Sequence, residues 1–172
     1  GCSATRGDRL EAVLRPRQVV AGELRRPDVP RAGVALEQLD PRRAPAELAE
    51  RCGQQAAGCY RRKVITVAAA ENGANAHTLV HEYGHHIDAT RGVAGAREPN
   101  GSSTWWRARG VARLVALRSA YHGYVRSWDR NIAEIFAEDY ARLARPGSRH
   151  RIQWLDEPNE SALAALAAAR AA

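Results

Sequence analysis

His81-Glu82-Tyr83-Gly84-His85 is the stretch that most narrows what this chain can fold into. On a helix, at ~100° per residue, His81 and His85 differ by about 40°, so both imidazoles project from one face a single turn apart and can grip one zinc ion. Glu82 lies on the flank of that face, where it can reach a water held by the metal without itself being a ligand. Leu79, Tyr83, Ile87, Val80 and Ala76 fall on the opposite side and form a core stripe. The spacing therefore predicts a helix that starts at Asn75 as N-cap, runs through His86 or Asp88 and stops before Gly92. Chance is a weak rival, since the residue frequencies give about 0.01 such patterns in a chain of this size.

His77 and His86 flank the motif without joining it. His77 and His85 are separated by about 12 Å along the axis at ~1.5 Å per residue, whereas Zn–N bonds are ~2.0 Å, so one ion cannot hold His77, His81 and His85 together. His86 points about 100° away from His85. Both are read as supporting or surface residues.

A catalytic zinc has three protein ligands and one open position, so the third must come from another element. The segment Asn131-Ile132-Ala133-Glu134-Ile135-Phe136-Ala137-Glu138-Asp139-Tyr140 offers Glu134 and Glu138 one turn apart on a helical face, opposite Phe136, Tyr140 and Leu143. Glu134 would ligate the ion, and Glu138 would accept the other N–H of a ligand histidine and so orient it. The competing reading pairs Glu138 with Arg142 at i+4. Ala137 and Ala141 favour the first, because small residues let another helix approach closely. Asp88 is the other carboxylate taken to support the ligands.

Around these motifs the 172 residues are expected to form a single domain of the α+β class, mainly helical, with a small sheet beside the active-site helix. Residues 1–8 would be a flexible or lipid-anchored tether and residues 63–145 the catalytic core. Prolines at 16, 27, 30, 41 and 45 leave room in the first fifty residues only for short helices, at about 6–14 and 45–51. Residues 63–67 read as a strand, followed by a turn at Asn72-Gly73. After the loop 92–103, Ser102, Ser103 or Thr104 caps a helix carrying Trp105, Ala108, Ala112 and Val115. Asp129 or Asn131 caps the glutamate helix, which ends at Pro146-Gly147. The alanine-rich tail, 161–172, reads as a helix with little apolar bulk to anchor it.

HEYGHHID followed some fifty residues later by AEIFAED resembles the gluzincin metallopeptidases, in particular the small anthrax-lethal-factor-like and Pro-Pro-endopeptidase-like branch. The resemblance covers roughly residues 63–145. It implies a minimal zincin-like fold, His81, His85 and Glu134 as zinc ligands, Glu82 as general base and Glu138 as the support of a ligand. The branch places a tyrosine seven residues before the ligand glutamate to stabilise the oxyanion; that position here is Ser127. Tyr124 and Tyr121 lie nearby, and Tyr124 is favoured for the role. By the same analogy the strand 63–67 would pair with an extended substrate.

The implied activity is zinc-dependent hydrolysis of peptide bonds in an extracellular or cell-envelope protein by a monomeric enzyme. The alternative is a catalytically inactive, zinc-bound binding domain of the envelope. A net charge of +7 invites a nucleic-acid reading, but the arginines are scattered in ones and twos and Lys63 is the single lysine, so no nucleic-acid partner is expected. The absence of methionine suggests that something has been removed ahead of Gly1. Gly1-Cys2-Ser3-Ala4 resembles the cleavage end of a bacterial lipoprotein signal, which would put lipid on Cys2 and attach the domain to a membrane; an arbitrary chain boundary is the other reading. Cys52 and Cys59 flank a short glycine-bounded loop that could close as a disulfide in an oxidising compartment, the alternative being two buried thiols.

Overall fold

The apolar run after Lys63 forms the centre of a three-stranded sheet in the computed structural model, which describes residues 34–40, 42–69, 75–90, 98–124 and 126–171. The strands are β1 (Ala35–Leu39), β2 (Gly58–Arg61) and β3 (Val64–Ala68), in the order β1-β3-β2. β1 runs parallel to β3 with Ala35 opposite Val64, and β2 runs antiparallel with Gly58 opposite Val67. The expected strand loses its first residue to a turn. Arg62 and Lys63 both take positive φ, 50° and 65°, the pattern of the two-residue turn whose twist matches a β-hairpin. Because β1 and β2 occupy both edges of β3, that strand cannot accept an extended peptide as the resemblance implied. Among the described residues, the edges of the sheet are β1 and β2.

Helices α1, α2 and α5 follow sequence signals directly. Helix α1 (Ala44–Cys52) carries Pro45 in its first turn, where the missing N–H costs nothing. The motif helix α2 spans Ala76–Thr90. The run after residue 102, expected as one helix, is broken into α3 (Ser103–Arg109) and α4 (Val111–Ala116) by Gly110, whose φ of +69° is left-handed. Ser102 caps α3 by accepting the Trp105 N–H at 3.3 Å. After a single 3-10 turn (Trp128–Arg130), Asn131 caps α5 (Ile132–Ala144) by accepting the Ala133 N–H at 3.0 Å.

The last helix, α6 (Glu160–Ala171), departs from expectation. Leu166 and Ala162 are fully buried, Leu163 packs beside them, and α6 lies on α3 and α5, so two leucines and a row of alanines suffice to seat it. The core itself gathers Ile65 and Val67 of β3, Tyr83 and Ile87 of α2, Trp105 of α3, and Ile132, Ile135, Phe136 and Tyr140 of α5. Leu39, Ala44 and Leu48 make a small satellite cluster under α1. The architecture is thus α+β and mainly helical, with the sheet packed against α2.

Helices α2 and α5 approach unusually closely. A Cβ added to Gly84 would lie 2.8 Å from the Ala137 Cα and 3.2 Å from the Tyr140 Cβ, so the crossing requires glycine on one side and a small residue on the other. No described helix is long and apolar enough to cross a membrane. Cys2 with the rest of 1–8, the expected helix at 6–14, the Asn72-Gly73 turn and part of the loop 92–103 lie outside the described residues.

Candidate metal centre

The α2–α5 crossing brings together side chains that the sequence keeps some fifty residues apart. His81 and His85 project from one face of α2 with ring centroids 5.0 Å apart. Glu134, in the first turn of α5, points an oxygen between them: its Oε2 lies 2.9 Å from His81 Nε2 and 3.4 Å from His85 Nε2. These ligand atoms all fall within 4.8 Å of one another. Two imidazole nitrogens and one carboxylate oxygen are a donor set suited to a divalent transition ion, and as only three donors they leave room for a further ligand. The residues present therefore fit a bound metal ion. The three border an open cleft of about 790 Å³, walled on the far side by residues 54–60.

Glu82 is 7% exposed and stands beside this group without belonging to it. Burial raises its carboxyl above the ordinary range, outweighing the opposite pull of His85 and His81. The backbone N–H of Tyr60, on the edge strand β2, adds a weaker pull in the same direction as the histidines.

Glu138 is fully buried one turn further along α5. Its Oε2 receives both His81 Nδ1 and His77 Nε2, each at 3.1 Å, and its Oε1 receives the Arg151 backbone N–H at 2.7 Å. Burial works against its charge, but these donors hold the carboxyl well below the usual carboxylate range. Glu134 follows the same logic: burial opposes its charge, while hydrogen bonds from His81 and His85 bring its carboxyl far down. His81 is the reciprocal case, since burial disfavours its charge yet Glu134 and Glu138 push it up to about 9. The competing pairing of Glu138 with Arg142 does not form; Arg142 bonds Glu157 at 3.0 Å. His77, His81 and Glu138 constitute a second group whose ligand atoms lie within 4.8 Å.

Of the two tyrosines considered for the centre, Tyr124 reaches it. Its hydroxyl donates to Glu134 Oε1, whereas the Tyr121 hydroxyl donates to the Arg118 carbonyl. Burial of the hydroxyl end and the neighbouring Glu134 charge raise the Tyr124 pKa. Ser127 bonds Asp129 at 2.6 Å on the outside of the turn. Asp88, expected to support a ligand histidine, accepts the Gly101 N–H at 2.7 Å and the Asn100 side chain at 3.3 Å, so it fastens the turn at the cleft rim. His86 Nδ1 lies 3.2 Å from the Tyr60 hydroxyl, away from the ligand set.

Cys52 and Cys59 are joined as a disulfide that ties the end of α1 to β2 at the cleft wall. The site thus draws on residues outside 63–145. Tyr60 and Arg151 contribute through backbone N–H groups, for which no side-chain pattern could have signalled. Trp128 was also missed. Its half-exposed ring stands 6.1 Å from that of His81 at the cleft rim, and its signal was an isolated aromatic in a turn. Comparison of the chain with family models, with curated proteins and with solved structures finds no match.

Proposed function

We propose that the chain is a zinc-dependent endopeptidase of zincin type acting on extracellular or cell-envelope proteins. The observation that carries this reading is the convergence of His81, His85 and Glu134 beside a buried carboxylate, Glu82, that is not part of the ligand set. The Cys52–Cys59 disulfide supports an oxidising compartment.

His81 Nε2, His85 Nε2 and a Glu134 oxygen would hold the zinc, with Glu138 fixing the His81 ring through Nδ1. Bound zinc would supply Lewis acidity to a scissile carbonyl and lower the pKa of water from ~15.7 towards 7. Glu82 takes the proton of the attacking water and passes it to the leaving amine; its raised pKa suits both halves of that exchange. The Tyr124 hydroxyl is a donor at the centre, available to the oxyanion that develops on the carbonyl. Gly58, Cys59 and Tyr60 on the edge strand line the cleft, so an extended peptide would add to β2.

The decisive experiment measures zinc content and peptide-library cleavage for the wild type and Glu82→Gln. The wild type should hold about one zinc per chain and cleave peptides, and the variant should keep the zinc while losing roughly 10²–10⁴-fold in kcat. A wild type that holds zinc and cleaves nothing would make this chain a zinc-bound binding domain instead.

A further inference from the structure

His77 cannot share one ion with His81 and His85, and the structure leaves it partly buried beside the centre with no role in the mechanism above. Its side chain is 13% exposed, and its Nε2 lies 3.1 Å from the same Glu138 oxygen that receives His81 Nδ1. Glu138 therefore sits between histidines on successive turns of α2, with its other oxygen taken by the Arg151 N–H at 2.7 Å. The geometry points to His77 as a positioning residue that holds the zinc in place through Glu138 and His81, without touching it. This rests on the zinc reading given above.

A carboxylate orients an imidazole only if its own torsions are fixed. Glu138 is carried by a flexible side chain in a fully buried position, where an oxygen without a donor would be costly. Arg151 pins one oxygen. His77 shares the other with His81, so the plane of the carboxyl is set by donors from two directions. The His81 Nδ1–H···Oε2 bond then keeps a proton on Nδ1, so that Nε2 is the nitrogen that would give up its proton and offer its lone pair to the zinc. Without His77, Oε2 keeps a single donor and the carboxyl can rotate, which loosens His81. Partners of this kind typically govern 10–100-fold in metal affinity.

The test compares wild type, His77→Leu and His77→Gln, each loaded with zinc at fixed pH and titrated with a competing chelator. Zinc stoichiometry and the urea unfolding of the chelator-stripped proteins are measured in parallel. His77→Leu should bind zinc about 10–100-fold more weakly. His77→Gln, whose amide supplies an N–H donor at the same reach, should recover most of that loss. Stoichiometry should stay at one per chain, and the stripped proteins should unfold at similar urea concentrations. Unchanged affinity in His77→Leu overturns the inference, and so does failure of glutamine to restore affinity in a variant that folds normally. Two zinc ions in the wild type and one in His77→Leu would overturn it differently, making His77 a ligand in the second His77-His81-Glu138 group. A wild type that binds no zinc overturns the metal-centre reading itself, whereas zinc binding without peptidase activity leaves the role of His77 standing.

Discussion

A buried imidazole ordinarily sheds its proton, yet His81 holds one up to about pH 9, because Glu134 and Glu138 outweigh the desolvation that opposes them. The consequence for stability has a definite sign. In the chelator-stripped chain, the raised His81 pKa contributes stability that is complete below its ordinary value of 6.5 and is lost as the pH climbs through about 9. The depressed Glu134 and Glu138 contribute above their ordinary 4.5 and lose that contribution as the pH falls below it. Urea midpoints of the stripped protein should therefore peak between about pH 4.5 and 6.5 and fall towards pH 10. A flat profile from pH 6 to 10 would contradict the His81–glutamate pairing. Residues such as His81, Glu82 and His85 were readable because their relation is local, set by the helical repeat alone. Glu134 and Glu138 were readable from spacing plus small neighbours. The N–H groups of Tyr60 and Arg151 were not, because every residue other than proline carries one and only tertiary packing selects which is used.

At the scale of elements, the contact between α2 and α5 carries the centre. Gly84→Ala would drive a methyl group into the Ala137 backbone at 2.8 Å, where no flexible side chain can yield. The expected cost is about 1–3 kcal/mol of overpacking, read as a lowered urea midpoint at unchanged slope, together with weaker zinc binding as the helices part. An unaltered midpoint would mean that the crossing relaxes freely. The amphipathic helices α1, α2 and α5 were legible because their stripes, Pro45 in the first turn of α1 and the Asn131 cap of α5 are all short-range. The strands β1 and β2 were not: β1 sits in a proline-punctuated stretch and pairs in parallel with residues 29 positions away, and β2 depends on a turn built from Arg62 and Lys63, which carry no glycine signal. The break between α3 and α4 was marked by Gly110, but a lone glycine inside an apolar pattern is tolerated often enough to mislead.

Across the whole molecule, the Cys52–Cys59 bond fastens the end of α1 to β2, the edge strand that lines the cleft. Closing a loop of about eight residues should contribute roughly 2–3 kcal/mol by the chain-entropy account. Cys52→Ser should lose about that much stability, and the oxidised wild type should drop to the same level on reduction while the variant is indifferent to reductant. Because the bond anchors β2, whose Tyr60 N–H acts on Glu82, reduction should also lower turnover of the proposed peptidase more than it lowers its zinc content. Equal activity before and after reduction would uncouple the clip from the base.

The narrow gap between Gly84 and Ala137 has one more outcome. The packing that sets it is hydrocarbon against hydrocarbon, so His81, His85 and Glu134 are brought to their stations by the core rather than by the ion. Chelation should therefore leave the far-ultraviolet circular dichroism and a cooperative unfolding transition intact, unlike small domains that collapse only around a metal. Returning zinc should raise the unfolding free energy by mass action alone, about 4 kcal/mol at a thousandfold excess over Kd. A site preformed in this way would let the proposed peptidase fold without the ion and gain its activity by zinc binding alone.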